Sequence, residues 1–409
     1  MASQKVVLIS SGQPSLNPRL IKEADSLCDA GYDVTVLYAY WNDWGTVFDR
    51  QLIPLKKWKA VRIAGDPQQQ KSTYLFSKIT HRAAKYINRV TGGKLFTNIA
   101  IARSAGLLKE AAKKHRADLY IAHNLGALPS AASAAKLYNK VCGFDAEDFH
   151  RYETSDDSNN AEVMLKTKIE DQYLPQVNYF TTSSPQIAEA YQQLYPQLKP
   201  VVLLNVFPKI ETATKKVEKK GPVKLFWFSQ TIGPNRGIDD AVKALQLLNK
   251  TDFELHLLGK LPPGSEKFIS SLIDSDINLQ IHNPVPPDEL AGFASQFDIG
   301  LALEPGFSIN NNIALSNKLF TYMQAGLAIV ASDTTAQHDF MTKNATIGHV
   351  YPKGDVGVMA AILRNYHQHS AQLANAQNEA LRLAKQQYNW ETEGLKFLAI
   401  VKQTLLQQK

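Results

Sequence analysis

Short runs of apolar, largely β-branched residues alternate with stretches of helical period along almost the whole chain. This alternation limits the fold more tightly than any other feature of the sequence. Residues 5–10 (KVVLIS) read as a strand, 19–30 as a helix with Leu20, Ala24, Leu27 and Cys28 on one face, and 33–38 as the next strand. The pattern recurs at 119–122, 141–145, 179–182 and 201–204. Near-continuous apolar strands separated by helices belong to βαβ units, whose parallel sheet is covered on both faces. The stretch 209–222 (KIETATKKVEKKGP) is polar, charged and aperiodic, and reads as a linker. After it, strands are expected at 223–229, 253–259, 277–281, 299–303 and 328–331, helices at 238–248 and 316–325, and a last helix at 391–406.

The expected fold class is α/β, with two doubly wound Rossmann-like domains facing across a cleft. A length of 409 residues suits two domains at roughly 100–200 residues each. The expected divisions are an N-terminal domain over 1–207, a linker over 208–222, a second domain over 223–385 and a terminal segment over 386–409. In such sheets ligands bind outside the carboxyl ends of the strands, so chemistry is sought in the loops that follow strands.

Two cysteines, Cys28 and Cys142, make no disulfide framework and read as reduced thiols of a reducing compartment. The apolar run from Val6 to Ile9 is too short for a signal-peptide core. No run approaches the roughly 18 apolar residues that span a bilayer, so a cytoplasmic protein is expected, free or peripheral on the inner face of the cell membrane. The net charge of +7 is uneven. Residues 50–118 hold sixteen Lys and Arg against three Asp and Glu, a balance of +13 that leaves −6 for the remainder.

Five loops carry candidate chemistry. In SSGQPSLNPR (10–19), Asn17 is a good N-cap, Pro18 suits a first helical turn, and Gly12 is the lone glycine, too few for a dinucleotide fingerprint. Such a helix start either closes a plain turn or offers its N–H groups to an anion. In IAHNLGALP (121–129), His123 follows an apolar strand, where it either bonds neighbouring backbone or serves a sugar hydroxyl or a proton transfer. In GFDAEDFHRYE (143–153), Asp145 ends a strand and Glu147 and Asp148 follow, either as a solvated acidic loop or as general-base candidates. In FSQTIGPNRGID (228–239), Arg236 and Gly237 open a helix, and the guanidinium adds a clamp to an anion site. In the fifth, 301–333, a Gly/Asn-rich loop leads to a helix capped near Ser316. Lys318 lies in its first turn, against the helix dipole, a conflict that an anionic ligand would remove.

No metal is expected, because His, Cys, Asp and Glu show no ligand spacing. Asp274-Ser275-Asp276 reads as a turn, and no GxSxG elbow occurs. In residues 72–90, Leu75, Phe76, Ile79, Ala83, Tyr86, Ile87 and Val90 can share a face, with Lys78, Arg82, Lys85 and Arg89 around it. This basic amphipathic helix either packs on its own domain or lies on an anionic membrane surface. Nucleic acid is not an expected partner, since no binding motif accompanies the charge. Trp41, Trp44 and Phe48 form an aromatic group nearby that serves an acceptor or simply packs.

Together these loops resemble the group 1 glycosyltransferases, the large retaining family 4 of the GT-B fold. SNKLFTYMQAGLAIVASD (316–333) looks like the donor-binding helix and following strand, DLYIAHNLGALPSA (118–131) resembles the "AHD…LP" segment, and FDAEDFH resembles "YDAHE". Asn205 is similar to the Asn of "PN", and YNWETE (388–393) to the segment whose helix crosses back to the first domain. The resemblance implies a metal-independent, retaining hexosyltransferase that needs no cofactor and takes a nucleotide-diphosphate sugar, UDP- or GDP-linked, as co-substrate. The first domain would face the acceptor and the second the donor. Arg236 fills the place of a basic residue that binds the diphosphate, His123 that of a histidine beside the donor sugar, and 307–312 that of the loop wrapping the sugar.

The family's E-x7-E glutamates are replaced by Ile313 and Thr321, and a second basic residue by Gln230. Lys318 and the asparagines are then the groups left to substitute. The expected catalytic residues are His123, Asp145 and Glu147. The expected donor-binding residues are Gly12, Gln230, Arg236, Gly259, Glu304, Asn310, Asn311, Asn312, Ser316, Asn317, Lys318 and Thr321. The acceptor would be a glycan or lipid-linked molecule of surface polysaccharide or glycolipid assembly. The alternatives are a catalytically silent binding partner or a nucleotide-sugar epimerase.

Overall fold

Apolar runs that alternate with helices become strands here because both of their faces are covered. The structure is a computed structural model that describes residues 3–210, 221–273 and 276–407. Most of the expected linker, residues 211–220, and Asp274 and Ser275 of the expected turn lie outside the described residues. The first seven strands are β1 (Lys5–Ser10), β2 (Asp33–Ala39), β3 (Lys59–Ile63), β4 (Leu119–His123), β5 (Val141–Ala146), β6 (Tyr179–Thr182) and β7 (Val201–Val202). They form one parallel sheet in the order β3-β2-β1-β4-β5-β6-β7. The next six are β8 (Val223–Thr231), β9 (Phe253–Lys260), β10 (Leu279–His282), β11 (Ile299–Ala302), β12 (Ala328–Ser332) and β13 (Gly348–Tyr351). They form a second parallel sheet in the order β10-β9-β8-β11-β12-β13. Both sheets reverse direction of winding beside their first strand, the doubly wound pattern.

The chain divides into two compact units. One contains the residues up to Leu204, Ser308–Asn310 and the residues from Glu393; the other contains Asn205–Phe307 and Asn311–Thr392. In the first, Val6, Leu8, Leu20, Leu27, Val36, Leu119 and Ile121 build the core beneath the sheet, and Phe397, Val401 and Leu405 of the last helix, Trp390–Leu406, join it. In the second, Leu225, Trp227, Leu255, Leu257, Ile299, Leu301 and Val330 pack against Ile238, Ala241 and Leu245 of the helix Ile238–Gln246. Among the described residues no helix is long and apolar enough to cross a membrane.

The differences from expectation fall at sheet edges. The strand expected over 201–204 pairs regularly only at Val201–Val202, and β10 starts two residues later than expected. β3 and β13 were not anticipated. Lys59 and Arg62 interrupt the apolar pattern of β3, an edge strand whose residues stay half-buried or exposed.

Two strand glycines are required by rings that lie across them. A Cβ on Gly143 would come 2.1 Å from the Tyr179 ring, and one on Gly300 would come 2.2 Å from the Tyr322 ring. Tyr322 is itself fixed, since its hydroxyl donates to Leu301 O at 2.9 Å. Replacing Gly300 by Ala should therefore lower stability by about 1–3 kcal/mol, the usual cost of overpacking a tight core. Urea unfolding of Gly300→Ala checks this, and a midpoint equal to that of the parent would contradict the packing.

Candidate active site

Strand register places a row of polar groups at the carboxyl ends of the first sheet. Ser10 of β1 pairs with His123 of β4, His123 with Asp145 of β5, and Asp145 with Thr181 of β6. The long apolar runs stop there, so the row forms where the sheet meets the loops. The helix Pro18–Asp29 closes over it, capped as the sequence suggests: Leu20 N donates to Asn17 Oδ1 at 3.0 Å.

That helix contributes charged residues the sequence reading missed. Arg19, Lys22 and Glu23 are buried. Arg19 Nε lies 2.7 Å from Asp145 Oδ2 and 3.6 Å from Glu23 Oε1. The first contact is close but not aligned as a hydrogen bond, so charge rather than direction holds it. Arg19 Nη1 donates to Leu203 O at 2.6 Å, and Thr181 Oγ1 donates to Asp145 Oδ1 at 2.8 Å. His123 Nε2 is 3.1 Å from Glu23 Oε2, and Nδ1 is 3.6 Å from Asp145 Oδ2. Arg19 and Glu23 stand four residues apart in line with Leu27, on the stripe that faces the core. A charged pair continuing an apolar stripe was the available signal.

These groups set one another's protonation. Burial works against the charges of Arg19 and His123, but the surrounding carboxylates outweigh it and raise both pKa values. For Lys22, burial and the neighbouring Arg19 lower the pKa to about 7. For Glu147, burial and the Asp145 charge raise it. The exposure of the three expected catalytic residues divides them. His123 is 0% and Asp145 1% exposed, so neither presents a surface to a substrate, whereas Glu147 is only partly buried.

His123, Asp145 and Glu147 each bring one ligand atom within 4.8 Å of the others, a cluster that sequence spacing did not foretell. Arg19 at Asp145 Oδ2, with Lys22 nearby, sets positive charge where a cation would have to sit, so these residues fit a metal poorly. Gly12 N donates to Ser10 Oγ at 3.1 Å, and Asn124, at φ +64°, donates from Nδ2 to the same hydroxyl at 3.1 Å.

The acidic segment after β5 is fastened rather than solvated. Arg151 Nε pairs with Glu170 Oε2 at 2.5 Å, and His150 Nδ1 lies 2.8 Å from Glu153 Oε1. Asn310 belongs with this segment: it accepts from Phe149 N at 2.6 Å and donates to Asp148 Oδ1 at 3.0 Å. Burial and Glu153 raise the Asp148 pKa.

In the second unit, the strand ends hold most of the expected donor residues. Arg236 is exposed, donates to Thr231 Oγ1 at 3.4 Å, and has no acidic partner within 4.0 Å among the described residues. Gly237 caps the helix Ile238–Gln246 at φ +74°, and a Cβ there would come 2.6 Å from Leu303 O, so only glycine fits. A Cβ on Gly259 would meet Ser229 O at 2.6 Å, which lets β9 run close to the end of β8. Gln230 is exposed on β8. The first turn of this helix also carries Asp239 and Asp240, and Asp240 Oδ2 accepts from Tyr351 Oη and Gly354 N, each at 3.0 Å.

The dipole conflict read at Lys318 is met inside the protein. Lys318 Nζ lies 2.7 Å from Glu304 Oε1, which also accepts from Ser316 Oγ at 2.8 Å, while Asn311 Nδ2 donates to Glu304 Oε2 at 3.3 Å. Burial alone would raise Glu304, but Lys318, Ser316 and Asn311 hold it down at about 2. A ligand is thus not required to explain this lysine. Asn312 is bound to Thr335, donating to its Oγ1 at 2.8 Å. Thr321 is buried and turns its hydroxyl onto Asn317 O at 3.2 Å.

Two predictions follow from these pairs. Arg19→Leu should cost about 3–5 kcal/mol, because Glu23 and Asp145 lose their counter-charge, and the double change Arg19→Leu/Glu23→Leu should cost less. Denaturant titration of Arg19→Leu, Glu23→Leu and the double variant decides it; a double variant as unstable as the two single losses added would deny the coupling. Glu304, with a lowered pKa, stabilises the fold above its unfolded value near 4.5 and loses that contribution as pH falls towards 2. Glu304→Gln should therefore be less stable by about 3 kcal/mol at neutral pH, with the deficit closing in acid. Melting curves across pH test this, and a deficit independent of pH would rule it out.

No protein-family profile matches the sequence, and no curated protein sequence matches it. Solved structures do match it end to end. HepE from Anabaena, in complex with UDP and glucose, aligns with a TM-score of 0.68 at 13% identity, over 98% of this chain and 100% of that one. Sucrose-phosphate synthase from Thermosynechococcus elongatus aligns with a TM-score of 0.69 at 13% identity, over 98% of each chain. WaaG, a glycosyltransferase involved in lipopolysaccharide biosynthesis, aligns with a TM-score of 0.63 at 12% identity, over 97% of this chain and 98% of its own. Two parallel α/β units in this order give the chain the GT-B fold that these solved structures share.

Proposed function

We propose that this chain is a retaining, metal-independent glycosyltransferase that moves a sugar from a UDP- or GDP-linked donor to a glycan or lipid-linked acceptor. The observation that carries the reading is the end-to-end likeness to HepE, which is seen with UDP and glucose: it takes in 98% of this chain. Surface polysaccharide or glycolipid assembly at the inner face of the cell membrane is the setting that suits such an acceptor.

The second unit supplies the donor side. Arg236 carries a guanidinium without an acidic partner among the described residues, at the start of a helix where backbone N–H groups already favour an anion. As the bond from the anomeric carbon to the phosphate oxygen breaks, negative charge collects on the leaving diphosphate, and a fixed cation is most useful there. Glu304 and Lys318 form a pre-set pair that flanks the loop 307–312, which would wrap the sugar, with Asn311 and Ser316 bonded to Glu304. The first unit supplies Glu147. Its partial exposure and raised pKa suit a carboxyl that takes the proton from the acceptor hydroxyl. His123 and Asp145, fully enclosed, position that segment.

A second reading, a silent nucleotide-sugar-binding protein, is favoured by one observation: Thr321 replaces a carboxylate and spends its hydroxyl on Asn317 O. Calorimetry with UDP- and GDP-sugars, combined with product analysis, separates the two. The transferase reading expects one donor to bind and turn over. It expects Arg236→Ala to weaken that binding by about thirtyfold, near 2 kcal/mol for a charge-assisted contact. It expects Glu147→Gln to lower kcat with donor affinity intact. Binding without turnover would favour the silent protein, interconversion of the donor without acceptor would favour an epimerase, and wild-type donor affinity in Arg236→Ala would remove that residue's role.

A further inference from the structure

The basic helix, Lys71–Val90, packs on its unit with the side that a surface helix ordinarily turns to water. The residues it buries are Ser77, Ala84 and Asn88. Polar contacts and small side chains hold it: Arg103 Nη1 donates to Ser77 Oγ at 2.6 Å, Asn88 Nδ2 donates to Leu95 O at 2.7 Å, and Ala84 packs with Ala100 and Leu165. His81 Nδ1 lies 3.0 Å from Ile99 O on the same side.

The apolar stripe faces outward. Leu75, Phe76, Ile79, Tyr86 and Val90 are between 53% and 69% exposed, and Leu95 and Phe96, just beyond the helix, are 51% and 52% exposed. At about 3.6 residues per turn the five helix residues share one side, and Lys71, Lys78, Arg82, Lys85 and Arg89 run along its flank. No Asp or Glu occurs between Asp66 and Glu110. Soluble proteins seldom leave so many large apolar side chains together in water without an occupant for them.

We propose that this face docks the protein on an anionic lipid bilayer, with the apolar stripe in the acyl boundary and the basic row on the lipid phosphates. Charge selects this occupant. A second copy of the chain would bring the same cationic row against itself, and like charges at close range repel. Single-stranded nucleic acid would stack its bases on rings, and here Phe76 and Tyr86 stand among Leu75, Ile79 and Val90, aliphatic side chains that bases would leave uncovered. Aliphatic side chains with a Phe and a Tyr, beside lysines and arginines long enough to reach upward, match the graded polarity of a bilayer interface. The inference deepens the partner side of the proposed function, but it stands on the exposed face and not on the donor residues.

Flotation of the full chain with vesicles tests it. One set is phosphatidylcholine alone and the other contains one third phosphatidylglycerol, each at low and high salt. The wild type should partition onto the anionic vesicles and be released by salt. Each charge reversal in Lys85→Glu/Arg89→Glu should weaken that partition by about fivefold or more, the loss expected per basic group near an anionic surface. Phe76→Ser/Ile79→Ser should weaken it by about tenfold or more, since both side chains would leave the acyl boundary. All four positions are exposed, and unchanged melting curves confirm intact folding. No flotation with anionic vesicles, equal flotation with neutral ones, full partition by the Ser variant, or a solution dimer that the Ser variant dissolves would each overturn the proposal. Flotation without donor binding would sink the transferase reading and leave this one standing.

Discussion

The contact between Arg19 and Asp145 is the constraint on which the first unit depends. An arginine with no exposure is admissible only where carboxylates surround it, and here Asp145 and Glu23 do so while Leu203 O accepts a hydrogen bond from Nη1. The pairing ties the first helix to the ends of the central strands and, through Glu23, keeps His123 protonated beyond its ordinary range. Buried ion pairs are seldom a cheap source of stability, and this one has a different consequence. It fixes the electrostatic setting in which Glu147 holds a raised pKa at the edge of the same cluster.

How much of this was legible in the sequence depends on the range of the interaction. The strands were readable because burial on both faces writes itself as a continuous apolar run, and the cap at Asn17 because its partner is three residues away. The row Ser10, His123, Asp145 and Thr181 was half visible: each residue ends an apolar run, but which strands stand side by side is a matter of sheet order. Arg19 and Glu23 went unseen because charge at helical spacing is ordinarily a solvated face. Edge strands were the weakest case, since β3 carries Lys59 and Arg62 and so lacks the apolar signature.

Two readings correct general rules rather than particular residues. A lysine in the first turn of a helix suggests an anionic ligand, yet the answer at Lys318 is Glu304, fourteen positions upstream and joined to it at 2.7 Å. The second unit therefore offers Arg236, without an acidic partner among the described residues, just ahead of a helix whose first turn carries Asp239 and Asp240. A diphosphate there would depend on backbone N–H groups as much as on charge. Likewise, periodicity in the basic helix located an apolar face without saying which way it turned. Ser77 and Asn88, polar residues that make specific bonds inward, decide that the apolar side stays outside.

In the first unit the strand-end histidine, His123, is held charged by buried carboxylates. Nitrogen-15 NMR of labelled imidazoles reads that state directly. The account predicts that His123 keeps both ring protons at pH values above 6.5, the ordinary midpoint, and that Glu23→Gln returns its titration towards that value. A His123 ring already neutral at pH 6.5 in the wild-type chain would contradict the network on which the site is built.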